Sequence, residues 1–324
     1  MSQFASATNH AANPHATMLK VFANIALVMI ALPSAARAQF PSVAGEPAGI
    51  VDHPCPAPLQ PPPELAALEK SGPRAVFESK LPAVVAFLRE EDRRRRLDRA
   101  GLCRYRSANR DFAERRNAPP AAVFLGDSIT DFWPEVDRQF FEANKFVGRG
   151  IGAQVTSQGV LRFQQDVVEL HPRAVHILYG TNDIAGLAGP TTLKRVEDNL
   201  TMMVELARAN KIAPILGTVL PVSSLPDGTK VPSLNAHILQ LNAWIRSYGR
   251  FAHVAVADYY PALSDAAGNF RASLNSDGVH PNAAGYRVME PIAAAAIAAA
   301  TRGTAPRRPA RLAPAREAGG YDAQ

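Results

Sequence analysis

From Pro119 onward the chain alternates short apolar runs with longer amphipathic stretches, and each run stops at or near Gly, Pro or Asp. The runs are residues 121–125 before Gly126, 145–147 before Gly148, 174–179 before Gly180, 212–220 before Pro221 and 254–257 before Asp258. The second is the weakest. Apolar runs of this length, bounded by chain breakers, read as strands covered on both faces, as in a parallel sheet. Helical stretches fall near 155–170, 191–210, 234–249 and 282–301. Alternation of strand and helix predicts an α/β fold with three layers, α/β/α, over residues 118–301. No internal repeat is present.

The segments before that domain read differently. Lys20 precedes the apolar run 21–32, and Ala36-Arg37-Ala38 places small residues at a cleavage position, so residues 1–38 read as an export signal. Residues 1–17 carry no Lys, Arg, Asp or Glu, and Met18 makes a more ordinary start. Residues 39–63 form a Pro-rich arm, and residues 64–117 a helical extension in which Pro82 suits the first turn of a helix. Within it Val84, Val85 and Leu88 make an apolar stripe, and the charged run 89–96 a solvated face. Residues 302–324 read as a disordered basic tail. Two cysteines in an exported chain, Cys55 and Cys103, either form one bridge or stay as separate thiols.

Charge excludes one function class. The formal +6 lies mostly at the ends: residues 302–324 carry +3 and residues 1–38 carry +2, leaving +1 between them. That balance provides no phosphate-binding field, so nucleic acid is not an expected partner. The apolar run 21–32 is short for a bilayer, so no stable membrane insertion is expected.

Sites in open parallel sheets gather at the carboxyl ends of strands. Ser128, Ala153 and Asn182 lie three to six residues beyond the first three runs, and Asp277 and His280 lie between the last run and the last helix. A serine hydroxyl needs a base to take its proton as it attacks. Histidine titrates near neutrality, and a carboxylate fixes its tautomer and stabilises the imidazolium. Asp277 and His280 share a tight turn in which Gly278 permits an unusual backbone, while Pro281 suits the first turn of the next helix. An Asp-x-x-His pair also fits a metal site, but no third and fourth ligand stands at a suitable spacing. Ser128 either caps a helix or serves as nucleophile, and Asn182 either stabilises a turn or donates to an oxyanion. The Ser128 amide, the Ala153 amide and the Asn182 side chain would supply the two or three donors an oxyanion hole requires. Phe132 and Trp133 read as core in preference to acyl-pocket lining, and Tyr259 and Tyr260 fit either role.

Four blocks resemble those of the SGNH hydrolases, also called GDSL esterases/lipases. They are Gly126-Asp127-Ser128-Ile129-Thr130, Arg149-Gly150-Ile151-Gly152-Ala153-Gln154, Gly180-Thr181-Asn182-Asp183 and Asp277-Gly278-Val279-His280-Pro281. The resemblance covers about residues 118–301. It implies a flavodoxin-like sheet of five parallel strands and ester hydrolysis without metal or organic cofactor. By position it makes Ser128 the nucleophile, His280 the general base and then acid, and Asp277 its orienting partner. The second block departs from the family, which usually has Gly where this chain has Ala153. Both residues offer the amide, but the methyl narrows the acyl space, and a register one residue off would make Gly152 the donor. The branch most similar is the platelet-activating-factor acetylhydrolase-like and carbohydrate acetylesterase one. Short loops leave little room for a deep acyl tunnel. The expectation is therefore an exported esterase acting on short acyl groups, acetyl above all, of a small-molecule or carbohydrate ester. A lysophospholipase- or thioesterase-type lipase, or a non-catalytic carbohydrate- or envelope-binding protein on the same fold, are the alternatives.

Overall fold

The computed structural model describes residues 54–57, 59–70, 79–114, 118–224 and 231–302. The chain divides into two compact units, Met1–Pro56 and Ala57–Gln324, and every element below belongs to the second. The leader at 1–38, most of the Pro-rich arm and nearly all of the basic tail lie outside the described residues. Both cysteines are disulfide-bonded. Among the described residues no helix is long and apolar enough to cross a membrane.

Three helices precede the sheet: α1 (Pro63–Lys70), α2 (Pro82–Leu97) and α3 (Leu102–Glu114). Pro82 sits in the first turn of α2, where its missing N–H costs nothing. The charged run folds back on itself, with Arg93 and Arg94 paired to Glu90, Arg95 to Glu91 and Arg96 to Asp92. Such exposed i,i+3 and i,i+4 pairs are screened by solvent and contribute little to stability.

The sheet has five parallel strands: β1 (Ala122–Gly126), β2 (Phe146–Gly150), β3 (Ala174–Leu178), β4 (Ala213–Gly217) and β5 (Ala255–Ala257). Their order is β2-β1-β3-β4-β5. All neighbours are parallel, and Gly126 pairs with Gly150 on one side and Leu178 on the other. The central strands β1 and β3 are buried along their whole length, whereas the edge strands β2 and β5 are only partly so. Continuous apolar runs follow from that two-sided cover.

The covering helices are α4 (Ser128–Val136), α5 (Arg138–Asn144), α6 (Thr156–Asp166), α7 (Thr181–Ile184), α8 (Leu193–Ala209), α9 (Pro232–Ala252), α10 (Tyr260–Leu263) and α11 (Ala283–Ala300). Helices α4, α5 and α11 close one face of the sheet. There Phe124 meets Trp133 edge-on at 5.4 Å and Phe141 at 5.1 Å, and Tyr286, Met289 and Ala293 complete the layer. Helices α6, α8 and α9 cover the other face, burying Phe163, Leu200, Met203, Ile238 and Leu241.

The structure corrects two expectations from sequence and adds one helix. The apolar run 212–220 is strand only over Ala213–Gly217. Beyond it the backbone pairs with side-chain amides of α9: Asn242 bonds both Val219 N–H and C=O, and Asn235 does the same for Val222. An apolar run therefore continues where no strand does. Helix α5 was not legible; the Asp137 carboxylate starts it by accepting the Phe140 N–H. Pro281 lies outside the last helix, which begins at Ala283 with Asn282 as its cap. Instead Pro281 forms an isolated antiparallel bridge with Asn275.

Candidate active site

Only Asp127 separates β1 from α4, so Ser128 opens the helix at the carboxyl edge of the central strand. Asp127 takes the capping role itself: its carboxylate accepts the Ile129 N–H at 3.0 Å. This leaves the Ser128 hydroxyl available. Its Oγ stands 2.9 Å from His280 Nε2. His280 Nδ1 stands 2.7 Å from Asp277 Oδ2. Ser128, His280 and Asp277 thus form one unbroken hydrogen-bonded chain.

The turn that presents His280 is stiff. The second Asp277 oxygen accepts the N–H groups of Val279 and His280 at 3.0 and 2.8 Å. Burial pushes the Asp277 carboxyl up, but the hydrogen bonds from the His280 side chain and from these backbone groups outweigh it and hold it down at about 2. Gly278 lies between them with φ +91, and its carbonyl accepts the Ser223 N–H at 2.9 Å. A β-carbon there would stand 2.4 Å from Ser224 Oγ and 2.6 Å from the Ser224 carbonyl, so the position admits glycine alone.

Three N–H sources lie just beyond the ends of β1, β2 and β3. The Ser128 amide is in the first turn of α4 and has no acceptor among the described residues, nor has the Ala153 amide. Asn182, in α7, uses one N–H on the Gln154 carbonyl at 2.9 Å and keeps a second. Gly152, the other candidate in that loop, is already engaged: its N–H donates to Asp131 Oδ2 at 3.0 Å. Ala153 adopts φ +63, the left-handed region that glycine occupies freely.

Polar groups that sequence reading passed over tie these ends together. Arg162 is fully buried and donates to the Gly126 carbonyl, Tyr179 Oη, Gln154 Oε1 and Asp166 Oδ2, at 2.6–2.9 Å. One guanidinium thereby joins the ends of β1 and β3 to the loop after β2. Asp183 accepts the Thr156 N–H and hydroxyl, locking α7 to α6, and burial pushes its carboxyl up. Asp183 stood inside a recognised block. Arg162 had no sequence signal, because an arginine on an amphipathic helix reads as exposed.

The aromatic candidates divide. Trp133 is fully buried in the core as expected. Phe132 departs from that expectation: it is 41% exposed, with its ring 5.3 Å from the His280 imidazole. Tyr259 is core, with its hydroxyl 2.7 Å from His176 Nε2, whose imidazole burial holds down at about 3. Tyr260 bonds the Gly268 carbonyl. No group of three or more His, Cys, Asp or Glu side chains among the described residues is arranged to hold a metal ion.

Comparison with known proteins agrees with the fold. The crystal structure of a GDSL-like lipase from Bacteroides thetaiotaomicron VPI-5482 superposes with a TM-score of 0.57 at 35% identity, over 62% of this chain and 98% of that one. A protein of Bacteroides fragilis NCTC 9343, assigned as an acylhydrolase, gives 0.57 at 36% identity over 63% and 98%. An uncharacterized lipoprotein of Bacillus subtilis (strain 168), YqeF, is 42% identical over 76 residues; the match spans 22% of this chain and 31% of that relative's length. Residues 124–288 match the GDSL-like lipase/acylhydrolase family and contain all four motif loops together with Ser128, Asp277 and His280, so this chain belongs to the GDSL-like lipase/acylhydrolase family, the SGNH hydrolases.

Proposed function

We propose that this protein is an exported serine esterase that removes short acyl groups, acetyl above all, from a small-molecule or carbohydrate ester through an acyl-enzyme. The observation that carries the reading is the continuous path from Ser128 Oγ through His280 to Asp277, at 2.9 and 2.7 Å. Ser128 Oγ attacks the acyl carbonyl while its proton passes to His280 Nε2. The tetrahedral oxygen is met by the N–H groups of Ser128, Ala153 and Asn182. His280 then protonates the departing alcohol, leaving the acyl group on Ser128. Water gives a proton to His280 as it attacks the ester, and the acid leaves as Ser128 regains its proton. Asp277, ionised down to about pH 2, stabilises the imidazolium in both halves.

Two features support a short acyl group. The loops that carry the site are brief, with Asp127 alone between β1 and α4, and two residues between β3 and α7. Ala153 carries a methyl that glycine would lack, and the Phe132 ring lies 5.3 Å from the His280 imidazole. Export is supported by the sequence of residues 1–38 and by the resemblance to a protein described as a lipoprotein. The domain limits proposed are 39–63 for the arm, 64–117 for the helical extension and 118–301 for the hydrolase domain.

The test is a panel of p-nitrophenyl esters from acetate to octanoate, together with acetylated and deacetylated oligosaccharides. The expected result is kcat/KM highest for acetate and release of acetate from the sugar. A maximum at octanoate would overturn the short-acyl reading.

A further inference from the structure

Helix α3 and the turn before it lie outside the family match at 124–288, yet they bond to both ends of the loop that follows β2, at Gly150 and Gln154. The Tyr105 hydroxyl donates to the Gly150 carbonyl and lies 3.4 Å from Asp131 Oδ1. Asp131 Oδ2 accepts the Gly152 N–H at 3.0 Å. The Ala100 carbonyl accepts from Gln154 Nε2 at 2.9 Å, and the Arg99 carbonyl from Gln158 Nε2 at 2.6 Å. Tyr105 is itself held by the Arg149 guanidinium, 4.7 Å above its ring, and Arg149 Nε donates to Asn109 Oδ1 on the same helix as Tyr105.

These contacts act on a backbone that needs them. A non-glycine residue in the left-handed region costs roughly 1–2 kcal/mol, and such a residue persists only where its surroundings over-determine it. Ala153 is in that region at φ +63. Its N–H and that of Gly152 are adjacent on one turn, and an N–H already bonded to a carboxylate has no free proton for a developing oxyanion. Asp131 occupies the Gly152 N–H and leaves the Ala153 N–H free. Burial and the nearby Asp131 charge raise the Tyr105 hydroxyl to about 12, so it stays a donor throughout the assay range.

We propose that Tyr105 and Asp131 are positioning residues for the oxyanion hole: Tyr105 donates its one hydroxyl proton to the Gly150 carbonyl, and Asp131 accepts the Gly152 N–H, so that the Ala153 amide faces the reacting carbonyl. The helical extension is by this account part of the catalytic apparatus. The proposal rests on the Ser128 reading above and adds to it a requirement that the sequence motifs do not contain.

The test compares kcat, KM and Tm for wild type, Ser128→Ala, Asp131→Ala, Asp131→Asn and Tyr105→Phe on p-nitrophenyl acetate. Losing one aligned oxyanion donor costs about 10²–10³ in kcat. Asp131→Ala is expected to lose about 10²-fold in kcat with KM changed by less than about twofold. Asp131→Asn keeps an oxygen for the Gly152 N–H and should recover about tenfold of that loss. Tyr105→Phe should lose about tenfold in kcat, again with KM steady. Asp131→Ala within about threefold of wild type, Asp131→Asn as inactive as Asp131→Ala, or KM rising in step with the kcat loss would each overturn the proposal. If Asp131→Ala fails to fold, Tyr105→Phe decides alone: a kcat within about twofold of wild type overturns it. Activity retained by Ser128→Ala would instead sink the nucleophile assignment, a separate failure that this panel tells apart.

Discussion

Replacing Gly278 by Ala tests whether the Asp277–His280 turn is as constrained as its geometry implies. Two costs add. A β-carbon at φ +91 is strained by about 1–2 kcal/mol, offset by about 0.4–1 kcal/mol because alanine also restricts the unfolded chain. The new β-carbon would also lie 2.4 Å from Ser224 Oγ, 2.6 Å from its carbonyl oxygen and 2.9 Å from its nitrogen. Two of these are backbone atoms, so relief requires the turn to move by about 1 Å, with an overpacking cost of about 1–3 kcal/mol. The total is about 1–5 kcal/mol, or a Tm lower by about 2–20 °C in a domain of this size. A shift of about 1 Å at a reacting group costs on the order of 10²-fold in rate. Gly189 provides the control: its φ is +94, but nothing lies within 4 Å of its would-be β-carbon. Gly189→Ala carries the strain without the collision and should cost about 1 kcal/mol or less, with turnover unchanged. Thermal unfolding by circular dichroism and initial rates on p-nitrophenyl acetate read both variants. Equal Tm and equal activity for the two would refute the reasoning, because strain alone would then account for both.

Other perturbations follow from the buried charges. Burial raises the Asp127 carboxyl from 3.8 to about 7, so the folded state holds a proton there that the unfolded chain has lost. Stability attributable to this group is therefore full below about pH 4, falls as pH rises to about 7 and is flat above, at most about 4 kcal/mol in all. Asp127→Asn keeps the cap and should remove that slope, making it the more stable form at pH 8; a Tm-against-pH curve parallel to wild type would contradict this. Arg162→Met leaves Asp166 buried without its cation and should cost about 3–5 kcal/mol; a Tm within about 2 °C of wild type would refute it. Phe132→Ala, at an exposed site against His280, should leave Tm nearly unchanged and improve kcat/KM for butyrate relative to acetate by about tenfold. An unaltered ratio would remove Phe132 from the acyl site.

Much of the fold was legible because two-sided burial writes itself as continuous apolar runs, and the breakers after them mark where the chain leaves the sheet. The limits of legibility lie where a side chain imitates backbone. Asn242 and Asn235 bond extended segments that look like strand but are not. At the site, residues that belong to short loops were visible as motifs, since Ser128, Asn182 and His280 each follow a glycine by two residues and Asp277 directly precedes one. Residues that support those loops from elsewhere were not. Arg162 and Tyr105 are defined by what they touch across 17 to 45 residues of sequence, and no local pattern encodes that. Phe132 and Trp133 are adjacent, yet one face of α4 meets the core and the other meets His280. The choice between Gly152 and Ala153 likewise depended on Asp131, a partner twenty-one residues from Gly152.

The central claim is that Ser128 performs the attack. The most direct measurement is the hydrolysis rate of an acetyl ester by Ser128→Ala, taken alongside its thermal unfolding. The account predicts a rate at least about 10³-fold below wild type with an unchanged Tm, since the hydroxyl makes one bond, to a His280 side chain that is 20% exposed, and supports nothing else. A folded Ser128→Ala protein that retains more than about a tenth of wild-type turnover would contradict it.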